Sequence, residues 1–106
     1  MICKSYDVFF KTIADQSKLN IINILSKGPS NVTQLSAKLG FEQSRVSHNL
    51  RILNERGFVN MKIQGKERVY SLDNKIVVPL LKLIDKHVEK YYEHYCRCKG
   101  IKWRKE

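Results

Sequence analysis

The chain has 106 residues, with 20 Lys and Arg against 10 Asp and Glu and a formal net charge of +10. That length suits one domain with a single modest core, and so basic a balance expects a polyanionic partner, nucleic acid before a membrane surface. No stretch approaches the roughly 18 apolar residues of a spanning helix, Met1 to Ser5 lacks a signal-peptide apolar run, and 3 cysteines, an odd number, make no disulfide framework. A cytoplasmic protein without membrane attachment is expected.

Tyr6, Phe9, Phe10 and Ile13 recur at i, i+3, i+4 and i+7, which marks a first amphipathic helix. Asp15 suits the N-cap of a second, because its carboxylate accepts the orphan N–H groups of a first turn. Leu19, Ile22 and Leu25, with Ile21 and Ile24 alongside, give that helix a broad apolar face, stopped by Gly28-Pro29. Ser30 or Asn31 can cap a third helix, in which Leu35 and Leu39 share one face. Gly40 then suits the left-handed residue that ends it, and Phe41 just after can fold back as an apolar anchor.

The chain turns here within about three residues into a fourth helix, as a helix-turn-helix requires. Val46, Leu50 and Leu53 recur at i, i+4 and i+7 with Ile52 beside them, so Gln43, Ser44, Arg45, Ser47, His48, Asn49 and Arg51 are left for the outside. That outward set carries amides, hydroxyls, an imidazole and guanidiniums, groups that pair with base edges and phosphates. A plain solvated helix face has similar chemistry, and the segment after Gly57 separates the two readings.

Beyond that glycine the period changes to 2. Val59, Met61 and Ile63 alternate with Asn60, Lys62 and Gln64, Gly65-Lys66 turns the chain, and Arg68 to Leu72 returns as a second strand. Lys62, Lys66 and Arg68 make this hairpin a basic finger beside the polar helix, placed to grip phosphate or the minor groove. Asp73-Asn74 starts a last helix, with Pro79 tolerable only in its first turn. Leu80, Leu81, Ile84, His87, Val88, Tyr91, Tyr92 and Tyr95 form an apolar and aromatic stripe along it. With Tyr6, Phe9 and Phe10 of the first helix, that stripe is read as a two-fold dimer interface, the alternative being a helix that folds back on its own monomer.

The fold class expected is mostly α with a small β-hairpin (α+β): a winged helix-turn-helix with four helices, a hairpin wing and a long fifth helix. Residues 1–99 would form the DNA-binding and dimerisation domain, and residues 100–106 a basic tail. Gln43, Ser44, Arg45, Ser47, His48 and Arg51 are the candidate DNA contacts of the helix, and Lys62, Lys66 and Arg68 those of the wing.

IADQSKLNIINILSKG, LSAKLGFEQSRVSHNLRILNERGFV and GKERVYSL resemble, in order and spacing, the second helix, helix-turn-helix and wing of the ArsR family of winged-helix repressors. The resemblance covers roughly Phe9 to Leu72, and SRVSHNLRIL followed by GFV is its most specific part. It implies a homodimer that binds a pseudo-palindromic operator in double-stranded DNA and represses transcription until an inducer loosens it. Three departures stand out. Gln16 follows the capping Asp where family members commonly have proline. The family's thiolate site near the start of the third helix corresponds here to Asn31 and Thr33, which carry no thiol. Its interfacial zinc site corresponds to Asn74, Ile76, His87 and Lys90, with one nitrogen ligand left; Asp85-Lys86-His87 imitates the Asp-x-His spacing too late in the helix.

Cys3, Cys96 and Cys98, with His94, remain as candidate soft ligands. Residues two apart on a helix point about 200° away from each other, so Cys96 and Cys98 share one ion only where the helix frays, as Gly100 would allow. With Cys3 they would form a three-thiolate site for Zn(II), Cd(II) or As(III); the same thiols suit a redox switch, and incidental surface cysteines are the third reading. A winged helix used as a protein-interaction or assembly module is the rival to a DNA-binding repressor. An enzyme is not expected, since there is no phosphate-cradling glycine loop, no nucleophile with a base at a recognisable spacing and no paired carboxylates.

Overall fold

The computed structural model describes residues 4–92 and His94. They fall into two units, one ending at Asp73 and the other starting at Asn74. The first contains α1 (Lys4–Ala14), α2 (Gln16–Leu25), β1 (Ser30–Asn31), α3 (Val32–Leu39), α4 (Gln43–Glu55), β2 (Val59–Gln64) and β3 (Glu67–Leu72). The second contains α5 (Val77–His87), which runs on as a π-helical turn over Val88–Tyr92. Four helices, a hairpin and a fifth helix are the expected elements; β1 is an addition.

Side-chain caps account for the starts of α2 and α3. Asp15 is extended and its Oδ1 accepts the Ser17 N–H at 3.1 Å, as an N-cap should. Asn31, not Ser30, caps α3: its Oδ1 accepts the Gln34 N–H at 2.8 Å while Gln34 Oε1 accepts the Asn31 N–H at 3.0 Å, a reciprocal capping box. Ser30 is instead buried in the sheet opposite Tyr70. The last helix starts at Val77 rather than at Asp73-Asn74. A proline deeper in the helix would clash with the carbonyl four residues back, so the start moves until Pro79 sits in the first turn, where its missing N–H has no partner to lose.

The sheet has the order β1-β3-β2, all antiparallel. The register from Val59↔Leu72 to Gln64↔Glu67 leaves Gly65-Lys66 as a two-residue turn, and Gly65 supplies the positive φ of 63° that such turns need. Exposure along one face of β2 rises from 1% at Val59 to 69% at Ile63, so the hairpin starts in the core and ends in solvent.

The core of this unit combines Ile21, Ile22 and Leu25 of α2, Leu35 of α3, and Val46, Leu50 and Leu53 of α4 with Phe58, Val59, Tyr70 and Leu72 around the sheet. Burying each such large side chain stabilises the fold by about 1.5 to 3 kcal/mol. On α2 the buried stripe is Lys18, Ile21, Ile22 and Leu25, while Leu19, expected inside, is 37% exposed. The helix is rotated to admit a lysine because that lysine finds hydrogen-bond partners in Asp15 and the buried Asn49, and the identity of those partners is a signal that hydrophobic spacing does not carry.

Candidate nucleic-acid interface

Helix α3 ends on Gly40, whose φ of 69° and ψ of 25° are left-handed and whose N–H donates to Ser36 O at 2.9 Å. The Ser36 hydroxyl donates to Phe41 O and closes the corner, so Gly40, Phe41 and Glu42 alone join α3 to α4. Val46, Leu50 and Leu53 are fully buried beneath α4, and Gln43, Ser44, Arg45, Ser47, His48 and Arg51 are all exposed. All six candidate contacts of the helix therefore stand in solvent over an apolar base.

Asn49 is the exception to the expected outward set, being only 6% exposed. It lies three residues after Val46 and four before Leu53, on the buried side, and stays polar because both ends of its amide are used. Oδ1 accepts from Lys18 Nζ at 3.1 Å and Nδ2 donates to Arg45 O at 3.0 Å. Lys18 Nζ also donates to Asp15 Oδ2 at 2.7 Å. That hydrogen bond, more than any other contact, holds the Asp15 carboxyl below its ordinary value of 3.8, against the opposing effect of its partial burial.

Two of the exposed side chains are already held. The Arg45 guanidinium sits 3.6 Å over the Phe41 ring and its Nη2 donates to Ser17 Oγ. Arg51 Nη2 lies 3.3 Å from His48 Nδ1 and donates to it when the imidazole proton is on Nε2. At the far end of α4, Arg56 Nη1 donates to Thr12 Oγ1 at 2.7 Å and that hydroxyl donates to Val8 O at 2.7 Å, which ties the helix to α1. Lys18, Asn49, Arg56 and Thr12 are thus supporting residues that pattern reading missed; a polar residue at a core-phase position such as 49 is the one local hint.

Lys62, Lys66 and Arg68 are exposed on the wing. Lys62 pairs with Val69 and Ile63 with Arg68, so Lys62 and Arg68 stand on opposite faces of the hairpin with Lys66 in the turn between them. Asn31 Nδ2 donates to Glu67 Oε2 at 3.1 Å, linking the base of α3 to the returning strand.

On α1, Tyr6 and Phe10 are 50% and 60% exposed, whereas Phe9 is half-buried and stacks on Phe58 with centroids 5.2 Å apart. On α5, Leu80, Leu81 and Val88 are half-buried and Ile84, His87 and Tyr91 exposed. Leu83, which the expected stripe omitted, is 62% exposed. His87 and Tyr91 have ring centroids 4.7 Å apart across the passage into the π turn. Tyr95, Cys3, Cys96, Cys98 and the tail lie outside the described residues. Among the described residues no three His, Cys, Asp or Glu side chains are placed to hold a metal ion. Asn31 is engaged in capping, so the start of α3 does not fit a thiolate site.

A helix, a three-residue turn, a second helix with a polar exposed face and a basic hairpin directly after it define a winged helix-turn-helix. Residues 15–61 match the model of the family described as bacterial regulatory protein, arsR family. The HTH-type transcriptional regulator NmtR of Mycobacterium tuberculosis (strain ATCC 25618 / H37Rv) is 42% identical over 71 residues, 67% of this chain and 59% of that protein. The transcriptional repressor SmtB homolog of Synechocystis sp. (strain ATCC 27184 / PCC 6803 / Kazusa) is 32% identical over 81 residues, 76% of this chain and 61% of that one. The chain thus spans about six tenths of the length of these two relatives. The solution structure of apo-NmtR superimposes with a TM-score of 0.70 at 37% identity, covering 82% of this chain and 73% of that one. The crystal structure of M. tuberculosis Rv0081 does so with a TM-score of 0.80 at 26% identity, covering 87% and 93%. The chain belongs to the ArsR family of bacterial regulatory proteins.

Proposed function

We propose that the chain is a sequence-specific DNA-binding transcriptional repressor that acts as a homodimer on a pseudo-palindromic operator in the cytoplasm. The observation that carries this reading is α4: Gln43, Ser44, Arg45, Ser47, His48 and Arg51 are all exposed over a fully buried apolar side. Arg45 is already ordered by Phe41 and Ser17. Gln43, Ser44, Arg45, Ser47 and His48 read the major groove, Arg51 adds a polar contact, and Lys62, Lys66 and Arg68 hold the backbone from the wing. The exposed aromatic and apolar residues of α1 and α5 form the dimer contact, which sets two reading helices roughly 34 to 36 Å apart, one helical turn of DNA. No helix of the described residues is long and apolar enough to cross a membrane, and NmtR and the SmtB homolog are regulators. The role proposed is binding, not catalysis. The effector proposed is a thiophilic ion, Zn(II), Cd(II) or As(III), or a thiol oxidant, acting at Cys3, Cys96 and Cys98, the softest donors in the chain.

The test titrates reduced protein with fluorescent DNA from its own promoter region against a scrambled duplex, with and without each ion. Promoter-selective binding is expected. Arg45→Ala should relax that preference at a cost of about 1 to 3 kcal/mol, and Lys66→Ala should weaken both duplexes alike and flatten the salt slope. Equal affinity for the two duplexes would turn the reading toward a protein-interaction module.

A further inference from the structure

Lys18 is a lysine only 9% exposed, in a position that a hydrophobic residue would fill by spacing alone. A buried ammonium is costly unless charge and hydrogen bonds compensate it, and here both do. Nζ reaches Asp15 Oδ2 at 2.7 Å and Asn49 Oδ1 at 3.1 Å, and Asn49 passes the connection to Arg45 O at 3.0 Å. Among the described residues no buried side-chain nitrogen or oxygen lacks a partner. The first turn of α2 is therefore joined through a single cation to the backbone of the α4 turn that carries Arg45.

We infer that Lys18 is a positioning residue for DNA discrimination: acting through Asn49, it sets the rotation of α4 about its own axis. This inference rests on the proposed DNA-binding role. Val46, Leu50 and Leu53 hold α4 onto the core, but apolar burial is non-directional and tolerates a small roll. Hydrogen bonds are directional and do not. On a helix about 5 to 6 Å in radius, a roll of about 10° shifts the outer surface by roughly 1 Å. A base-edge hydrogen bond of about 2.9 Å is lost over that distance. Attraction between an arginine and a phosphate weakens only slightly over the same 1 Å. Loss of the roll constraint therefore removes sequence preference and leaves nonspecific affinity in place. The far end of α4 has its own tie in Arg56 and Thr12 and its first turns keep the Arg45–Ser17 hydrogen bond, so the helix stays docked when the Lys18–Asn49 connection is cut. Thermodynamic stability alone does not call for a charge here, because an apolar side chain of similar volume often replaces a buried ion pair without loss.

Lys18→Met keeps the stem and removes the ammonium. Its binding to promoter and scrambled duplexes is measured by fluorescence anisotropy over a salt series, beside the wild type, Asn49→Leu and the double variant, with circular dichroism to confirm folding. Promoter affinity should fall about 10-fold, the worth of roughly one base contact, while affinity for the scrambled duplex and its salt slope stay unchanged. The double variant should lose no more discrimination than either single one, since all three break the same connection. Asn49→Leu carries the test should Lys18→Met not fold. A selective wild type with unaltered variants would overturn this inference alone. Equal losses on both duplexes, or a salt slope lower by about 1, would make Lys18 a general stabiliser or a phosphate contact instead. A wild type without promoter preference would overturn the proposed function and this inference with it.

Discussion

Replacing Phe41 by leucine removes the ring beneath the Arg45 guanidinium, 3.6 Å from its centroid, and keeps an apolar side chain at the corner between α3 and α4. Arg45 then retains its hydrogen bond to Ser17 Oγ but loses a cation–π contact worth about 0.5 to 1 kcal/mol at an exposed site. Ordering a long side chain on binding costs about 0.5 to 1.5 kcal/mol, and in the wild type the stack has met much of that cost before DNA arrives. Promoter affinity of Phe41→Leu should therefore fall about 2- to 10-fold, less than the roughly 5- to 150-fold expected of Arg45→Ala. Anisotropy titrations at one salt concentration on wild type, each single variant and the double variant close a thermodynamic cycle. If the ring acts through Arg45, Phe41→Leu costs nothing further once Arg45 is alanine. A full loss in that background would show that Phe41 matters to the corner itself, and tighter binding by Phe41→Leu would show that the stack parks Arg45 away from DNA. Either result refutes the reasoning.

Gly40→Ala places a Cβ that meets no atom within 4 Å beyond its own chain neighbours, so its cost is that of a left-handed backbone at φ +69°; a loss of about 1 to 2 kcal/mol is expected in urea unfolding. Leu50→Ala empties a site of 0% exposure beneath the exposed polar face of α4 and should destabilise by about 2 to 5 kcal/mol, read from the shift of the denaturant midpoint. Asp15 titrates in the folded protein below its ordinary 3.8 because Lys18 stabilises the carboxylate. Its contribution to stability is present above 3.8 and is lost as pH falls through the folded value, where the native state must take up the proton it had excluded. Unfolding measured from about pH 6 to about pH 3 should show a shallower acid loss in Asp15→Asn than in the wild type.

Much of the architecture was legible because its signals are local. Val46, Leu50 and Leu53 announce a helix and its buried side within two turns of chain, Gly40 marks a left-handed stop, and Gly65-Lys66 joins two strands whose register is set by the turn. Each signal depends on residues within a few positions of one another, where backbone sterics and helical or strand periodicity decide the outcome. The exposed polar row on α4 comes from the same periodicity.

The features that escaped sequence reasoning depend on partners far along the chain. Lys18 and Asn49 are 31 positions apart and Thr12 and Arg56 are 44 apart. Asn49 at a core-phase position is a local hint of burial, but neither pair carries a mark of which distant residue it will meet. Hydropathy placed Leu19 inside and Asn49 outside, and both reversed because a buried hydrogen-bond network outweighs apolar spacing once the helices dock. The two residues of β1 are too few to show a period and become a strand only by pairing with β3. The sequence by itself therefore determined the helices and the hairpin, their order and the polar face of α4. Only the tertiary structure decided how α4 is rolled and which polar groups hold it there, because directional bonds between distant residues exist only after the chain has brought them together.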